Sequence, residues 1–267
     1  MSNSDSAALS IKRKGQPFDI RVHEIDFFRG ILIIIVLFDH LMNQFLLNNH
    51  FWPEMAAVAH WYWNFNLRDI IRFLVLIVFC FISGISSIFS RNNWLRAAQL
   101  IVAWAVLAVG SAALQEWGVF GNLRLSIPFN IIGVLGWSTL AYCFVQNKSW
   151  RSILALALAM FLFSWFVIPW MQRVNLIRGV NVYAPALFKP AGKIADWMPL
   201  FPFAMFFMLG ALLAYFVYRQ SKSSFTSVKY GWERPFCFVG RHTLLIYLSH
   251  IFVLLLIFYG LNFFLGA

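Results

Sequence analysis

The stretch FFRGILIIIVLFDHLMNQFLL, Phe27 to Leu47, decides the fold. It is apolar over about 20 residues, the length an α-helix needs to cross ~30 Å of hydrocarbon. It also carries Asp39 and His40 side by side. An ionisable side chain at the centre of a bilayer costs ~2.5–3.5 kcal/mol on insertion scales. A segment that keeps two of them points to bonding inside a bundle or to chemistry.

Composition extends this reading to the whole chain. Of 267 residues 61% are apolar and 12% charged, with 30 Phe and 12 Trp. A soluble domain carries roughly 25% charged residues. The pattern predicts an all-α polytopic membrane bundle of about seven helices, near 26–47, 70–90, 94–115, 127–147, 151–170, 198–219 and 240–262. Residues 1–24 form a polar cytoplasmic segment, and 25–267 form one membrane-embedded domain. The first apolar run is too long for a signal h-region and no small-residue cleavage site follows it, so it reads as an uncleaved first helix. The loops 48–69 and 171–197 are rich in Trp, Tyr, Phe and Pro, as expected of segments lying in the interface or folding back into the bundle.

The net charge of +11 fits the excess of Lys and Arg on the cytoplasmic side of membrane proteins. With the N-terminus inside, two thirds of the 21 Lys and Arg fall on the inner side. This predicts an N-in, C-out protein of the plasma (inner) membrane. Lys and Arg are not interleaved with aromatics on a soluble face, which excludes nucleic-acid binding. Cys80, Cys143 and Cys237 lack metal-ligand spacing and read as small packing residues, so no metal is expected. Neither an internal repeat nor paired interrupted helices can be read, which weighs against a secondary transporter.

Asp39 and His40 lie near 20 Å into the first helix at ~1.5 Å per residue, pointing about 100° apart. The pair reads as a proton acceptor with an acidic orienter, as an interhelical hydrogen-bonding unit, or as a group at the membrane edge. His250, about ten residues into the last helix, reaches a similar depth from the opposite end of the sequence. On the cytoplasmic side, Asp26 and Arg29 share a helix face, and Arg91 and Arg96 flank the second turn. Arg241 and His242 open the last helix, where free N–H groups and the helix dipole suit a phosphate-bearing ligand. Ser83-Gly84-Ile85-Ser86-Ser87 has the small residues that let helices approach closely. His50 and His60 sit among Trp52, Trp61, Tyr62 and Trp63, a belt anchor or a stacking platform for a sugar.

Four blocks resemble the heparan-α-glucosaminide N-acetyltransferase catalytic-domain family. They are Glu24-Ile25-Asp26-Phe27-Phe28-Arg29-Gly30, Phe81 to Ser87 with Arg91 and Asn92 behind it, Ala195 to Pro202, and Phe238 to His250. Their order and spacing match over roughly residues 21–255. The resemblance implies an integral-membrane acyltransferase that takes acetyl from cytosolic acetyl-CoA to an amino sugar or related envelope glycan. It also implies an essential histidine close after the first helix, so His40 with Asp39 and His250 is the candidate catalytic set, with His50 and His60 in reserve. Arg29, Arg91, Arg241 and His242 would then hold the nucleotide phosphates. The partners are an acyl-CoA donor, a glycan acceptor and the bilayer, and a homo-oligomer is compatible with the pattern. One departure stands out: where the family carries a Gly-Ile-Leu-His-like element, this chain has Phe129-Asn130-Ile131-Ile132-Gly133. A proton-coupled transporter and a non-catalytic envelope assembly protein are the competing readings.

Overall fold

The computed structural model describes residues 23–47, 52–118, 126–173, 186–189, 194–217 and 231–265. These form helices α1 (His23–Leu47), α2 (Pro53–Trp63), α3 (Leu67–Ser87), α4 (Asn93–Glu116), α5 (Ile131–Cys143) and α6 (Trp150–Leu162). A π-helical turn, Phe163–Val167, joins α6 to α7 (Ile168–Arg173). Then come α8 (Phe203–Val217), α9 (Arg234–Arg241) and α10 (Thr243–Leu265). Strands are absent among the described residues.

Three helices are long and apolar enough to cross a membrane: α3, α4 and the unit Trp150–Met171. The pair Gly231–Arg241 and Thr243–Phe258, bent by 68°, makes up to a fourth. The outward surface is that of a protein in lipid. On α4 the stripe Val102, Val106 and Val109 is 61–71% exposed, while Ala97 and Leu100 on the other side are buried.

Close helix approach holds the core together. A Cβ added at Gly84 would run into the carbonyl of Phe207, and one at Gly210 into the carbonyl of Phe81. The α3 and α8 backbones therefore touch through two reciprocal glycines. Gly30 and Gly240 do the same for α1 and α9, against the carbonyls of Phe236 and Asp26. In hydrocarbon, where burying apolar surface gains little, such contacts supply the packing that holds helices together. Cys80, Cys143 and Cys237 are all free and buried.

Two of the expected spans are corrected. The segments 127–147 and 198–219 do not start as helix. Ser126 pairs in parallel with Ile194, and Phe129 with Trp197. The amides of Ala195 and Met198 donate to the carbonyls of Ser126 and Phe129 at 2.8 and 2.9 Å. Helix begins only at Ile131 and Phe203, leaving α5 with 13 residues and α8 with 15. Pro128, Pro199 and Pro202 explain the delay, because each lacks the N–H that a helix interior needs. The expectation of no paired interruptions fails here as well. The last span also divides, since α9 ends at Arg241 and α10 starts at Thr243 in a new direction. Extended backbone inside a bundle persists only where protein buries it or where it lines a cavity, and this segment lines one.

Candidate functional site

Two clefts lie toward opposite ends of α1 and share part of their walls. One lies by the C-terminal half of α1 and the start of α3. Its polar walls are Asp39, His40, Tyr62, Arg68, Arg72 and Asp196. The other lies by the N-terminal half of α1, with Arg29, Ser83, Arg96, Gln99 and Arg241 around it. Phe79, Ile131 and Tyr247 belong to the walls of both.

In the first cleft the neighbours Asp39 and His40 part company, as their 100° separation requires. Asp39 accepts from Arg68 Nε at 2.9 Å and from Nη2 at 3.0 Å, a two-pronged pair. The Tyr62 hydroxyl donates to Asp39 Oδ1 at 3.0 Å. Arg68 also bonds Asp69 at 3.1 Å, and its guanidinium lies 3.5 Å from the centre of the Trp63 ring. A delocalised, weakly hydrated guanidinium suits this combination of fork and aromatic face. Burial and the Asp39 carboxylate push the Tyr62 phenol up, so it keeps its proton and remains a donor. Asp39 is thus the anchor that ties α1 to α2 and α3.

His40 faces His250. Their ring centroids are 4.9 Å apart, tilted by 51°. His250 is 6% exposed, and its Nδ1 is bonded to the Tyr247 carbonyl. A carbonyl can only accept, so Nδ1 carries the hydrogen and Nε2 presents a lone pair. That nitrogen has no partner among the described residues. A proton taken up by His40 therefore has a second imidazole beside it. The Tyr247 ring packs on His250 at 5.1 Å, and its hydroxyl donates to Asp196 at 3.3 Å. Arg72 approaches the other Asp196 oxygen at 3.7 Å.

The second cleft is cationic. Arg29 and Arg96 donate to the hydroxyls of Ser86 and Ser87. Arg241 pairs with Asp26 at 3.2 Å at the rim, about a third exposed. Two guanidiniums lining one cleft have the donors to hold an anion with several oxygens.

The remaining expected residues lie elsewhere. Arg91 is exposed in the turn between α3 and α4, away from the cleft wall. His242 is exposed, bonds the Phe238 carbonyl at 2.9 Å and stacks on the Phe238 ring. His60 is exposed on α2, and His50 lies outside the described residues. Arg96, Arg68, Arg72, Asp196 and Tyr247 enter the site without having been singled out as site residues. Arg96, a basic residue flanking a membrane turn, has a ready explanation in topology, and Asp196 and Tyr247 lie inside the blocks that carry the resemblance. At the departing element, the Phe129 ring fills the space over Gly133, where a Cβ would meet it at 2.8 Å.

A family model described as heparan-alpha-glucosaminide N-acetyltransferase, catalytic, matches residues 21–252. No curated protein and no solved structure matches the chain.

Proposed function

Because the chain belongs to that N-acetyltransferase catalytic-domain family, we propose that it is a membrane enzyme moving an acetyl group from cytosolic acetyl-CoA to an amino sugar or related envelope glycan. In this reading the N-terminus is cytoplasmic, seven segments cross or enter the inner membrane, and the cationic cleft opens inward. One observation carries the proposal: an arginine-lined cleft and a histidine-lined cleft lie toward opposite ends of α1 and share the wall Phe79, Ile131 and Tyr247.

The chemistry follows from that arrangement. Arg29 and Arg96, with Arg241 at the rim, hold the nucleotide phosphates and point the thioester at the shared wall. The acceptor enters by the other cleft. As its nitrogen or oxygen attacks the acyl carbon, a proton must leave it, and His40 takes that proton. The new bond forms, the carbon–sulfur bond breaks, and the thiolate departs into the cationic cleft. His250 receives or shares the proton of His40. Acetylation of His40 as an intermediate is the two-step version of the same route. The test is purified protein with radiolabelled acetyl-CoA and glucosamine-type acceptors. Label appearing on the acceptor supports the reading, and none on any such acceptor rejects it.

The paired extended segments before α5 and α8 favour a second reading. Short helices that begin at irregular backbone inside a bundle also build transporter sites. That reading expects proton-coupled solute flux in proteoliposomes without loss of thioester.

A further inference from the structure

In acetyl transfer across these clefts the acyl carbon is attacked beside their shared wall. Of the three shared residues, Phe79 and Ile131 are hydrocarbon, and Tyr247 alone offers a hydrogen bond. It is 5% exposed, and its present bond to Asp196 Oδ2 is long at 3.3 Å. Asp196 retains Arg72 if the hydroxyl turns away.

Behind Tyr247 stands Asn130, fully buried at the start of α5. Its Oδ1 accepts from the amides of Ile132 and Gly133 at 3.2 and 3.3 Å, which fixes the orientation of the side chain. The side chain acts on the Tyr247 phenol, while its amide nitrogen closes no hydrogen bond with any described residue. Buried donors are almost always satisfied, and one left over needs a reason. Here the reason is at hand. Once turned to the phenol oxygen, that N–H would occupy one of its lone pairs and leave the Tyr247 O–H to donate away from Asn130.

Resting on the acetyl-transfer reading above, we infer that the Tyr247 hydroxyl is the catalytic donor to the thioester carbonyl, and that Asn130 is the positioning residue that holds it in the donating direction. As the acceptor adds to the acyl carbon, the carbonyl π electrons move onto oxygen, where the Tyr247 O–H meets them. When the intermediate collapses, the C=O bond reforms, the carbon–sulfur pair leaves as thiolate, and the acceptor's proton is on His40. Tyr247 keeps its own proton throughout. This is the oxyanion-hole arrangement, in which preorganised donors act at the oxygen that gains charge.

The experiment reads the carbonyl directly. Difference infrared spectra of acetyl-CoA labelled with ¹³C at the carbonyl are recorded on the wild-type protein, Tyr247→Phe and Asn130→Asp. The last keeps oxygens to cap α5 and removes the N–H donors. The wild-type band is expected below its frequency in buffer, with the shift lost in Tyr247→Phe and diminished in Asn130→Asp. Turnover in Tyr247→Phe should fall about 100-fold with KM for acetyl-CoA changed less than about twofold. An unshifted wild-type band, or undiminished turnover in a folded Tyr247→Phe protein, overturns the inference. A shifted band in a wild-type protein that acetylates no acceptor rejects acetyl transfer while supporting the Tyr247 contact. Failure to bind acetyl-CoA rejects both.

Discussion

Asp39 and Arg68, 29 positions apart, form a buried two-pronged ion pair at 2.9 and 3.0 Å. The side chain of Arg68 is 6% exposed and that of Asp39 is 16% exposed. The carboxylate that stands next to His40 in sequence therefore serves another helix. It fixes the C-terminal half of α1 to the start of α3 and, through Tyr62, to the helix between them. His40 is left to face His250.

Breaking that pair leaves Asp39 without its cation in one case and Arg68 with only the exposed Asp69 in the other. Asp39→Asn and Arg68→Gln should each lower stability by ~3–5 kcal/mol, as buried pairs do when one member is removed. Replacing both should cost clearly less than the two single losses combined. Unfolding in detergent, followed by circular dichroism, measures all three. Strict additivity would show that the two residues do not stabilise each other.

His40→Ala is expected to reduce acetyl-transfer turnover by about 10²–10⁴-fold, the span of a general base. His60→Ala, altering an exposed residue of α2, should change it less than about twofold. If the triple change His40→Ala, His50→Ala, His60→Ala leaves full transfer, the histidine mechanism is wrong.

The cationic cleft makes a selective prediction. Arg29→Ala and Arg96→Ala should each raise KM for acetyl-CoA about tenfold or more, since a hydrogen bond to a charged group contributes ~1.5–3 kcal/mol. Arg91→Ala, off the cleft wall, should leave KM within about twofold. Equal effects from Arg91 and Arg96 would mean that general charge, and not the cleft, recruits the donor.

Gly210→Ala should destabilise the bundle by at least ~1–3 kcal/mol, the ordinary cost of overpacking. The atom in the way is the Phe81 backbone carbonyl, which lacks the freedom of a side-chain tip. Gly110→Ala, with nothing within 4 Å, is the control. A Gly210→Ala protein that melts with the wild type would remove the close α3–α8 contact as a source of stability.

Much of the site lay open in the residues themselves. A 20-residue apolar run must be helical in lipid, because its backbone has nothing else to bond. An ionisable group inside such a run must find a partner, so Asp39, His40 and His250 were visible as groups with something to explain. Arg29 and Arg241 stood out by their place at helix ends. Less visible were Arg96, Arg68 and Arg72, because a basic residue near a membrane helix has a ready explanation in topology alone. Asn130 and Tyr247 are ordinary residues in apolar surroundings, and nothing in their spacing gives them a role.

The sequence alone determined that this is an apolar, all-helical chain with rare polar groups at depth, since local periodicity and hydropathy decide helices. Only the tertiary structure decided which polar group meets which. Asp39 and His40 are adjacent and diverge, whereas His40 and His250 are 210 positions apart and meet at 4.9 Å. The same holds for the late starts of α5 and α8, where parallel pairing between distant segments replaces the first turns of helix. Hydrophobic pattern sets how a segment folds, but partners are chosen by helix rotation and close backbone contact, which no single segment encodes.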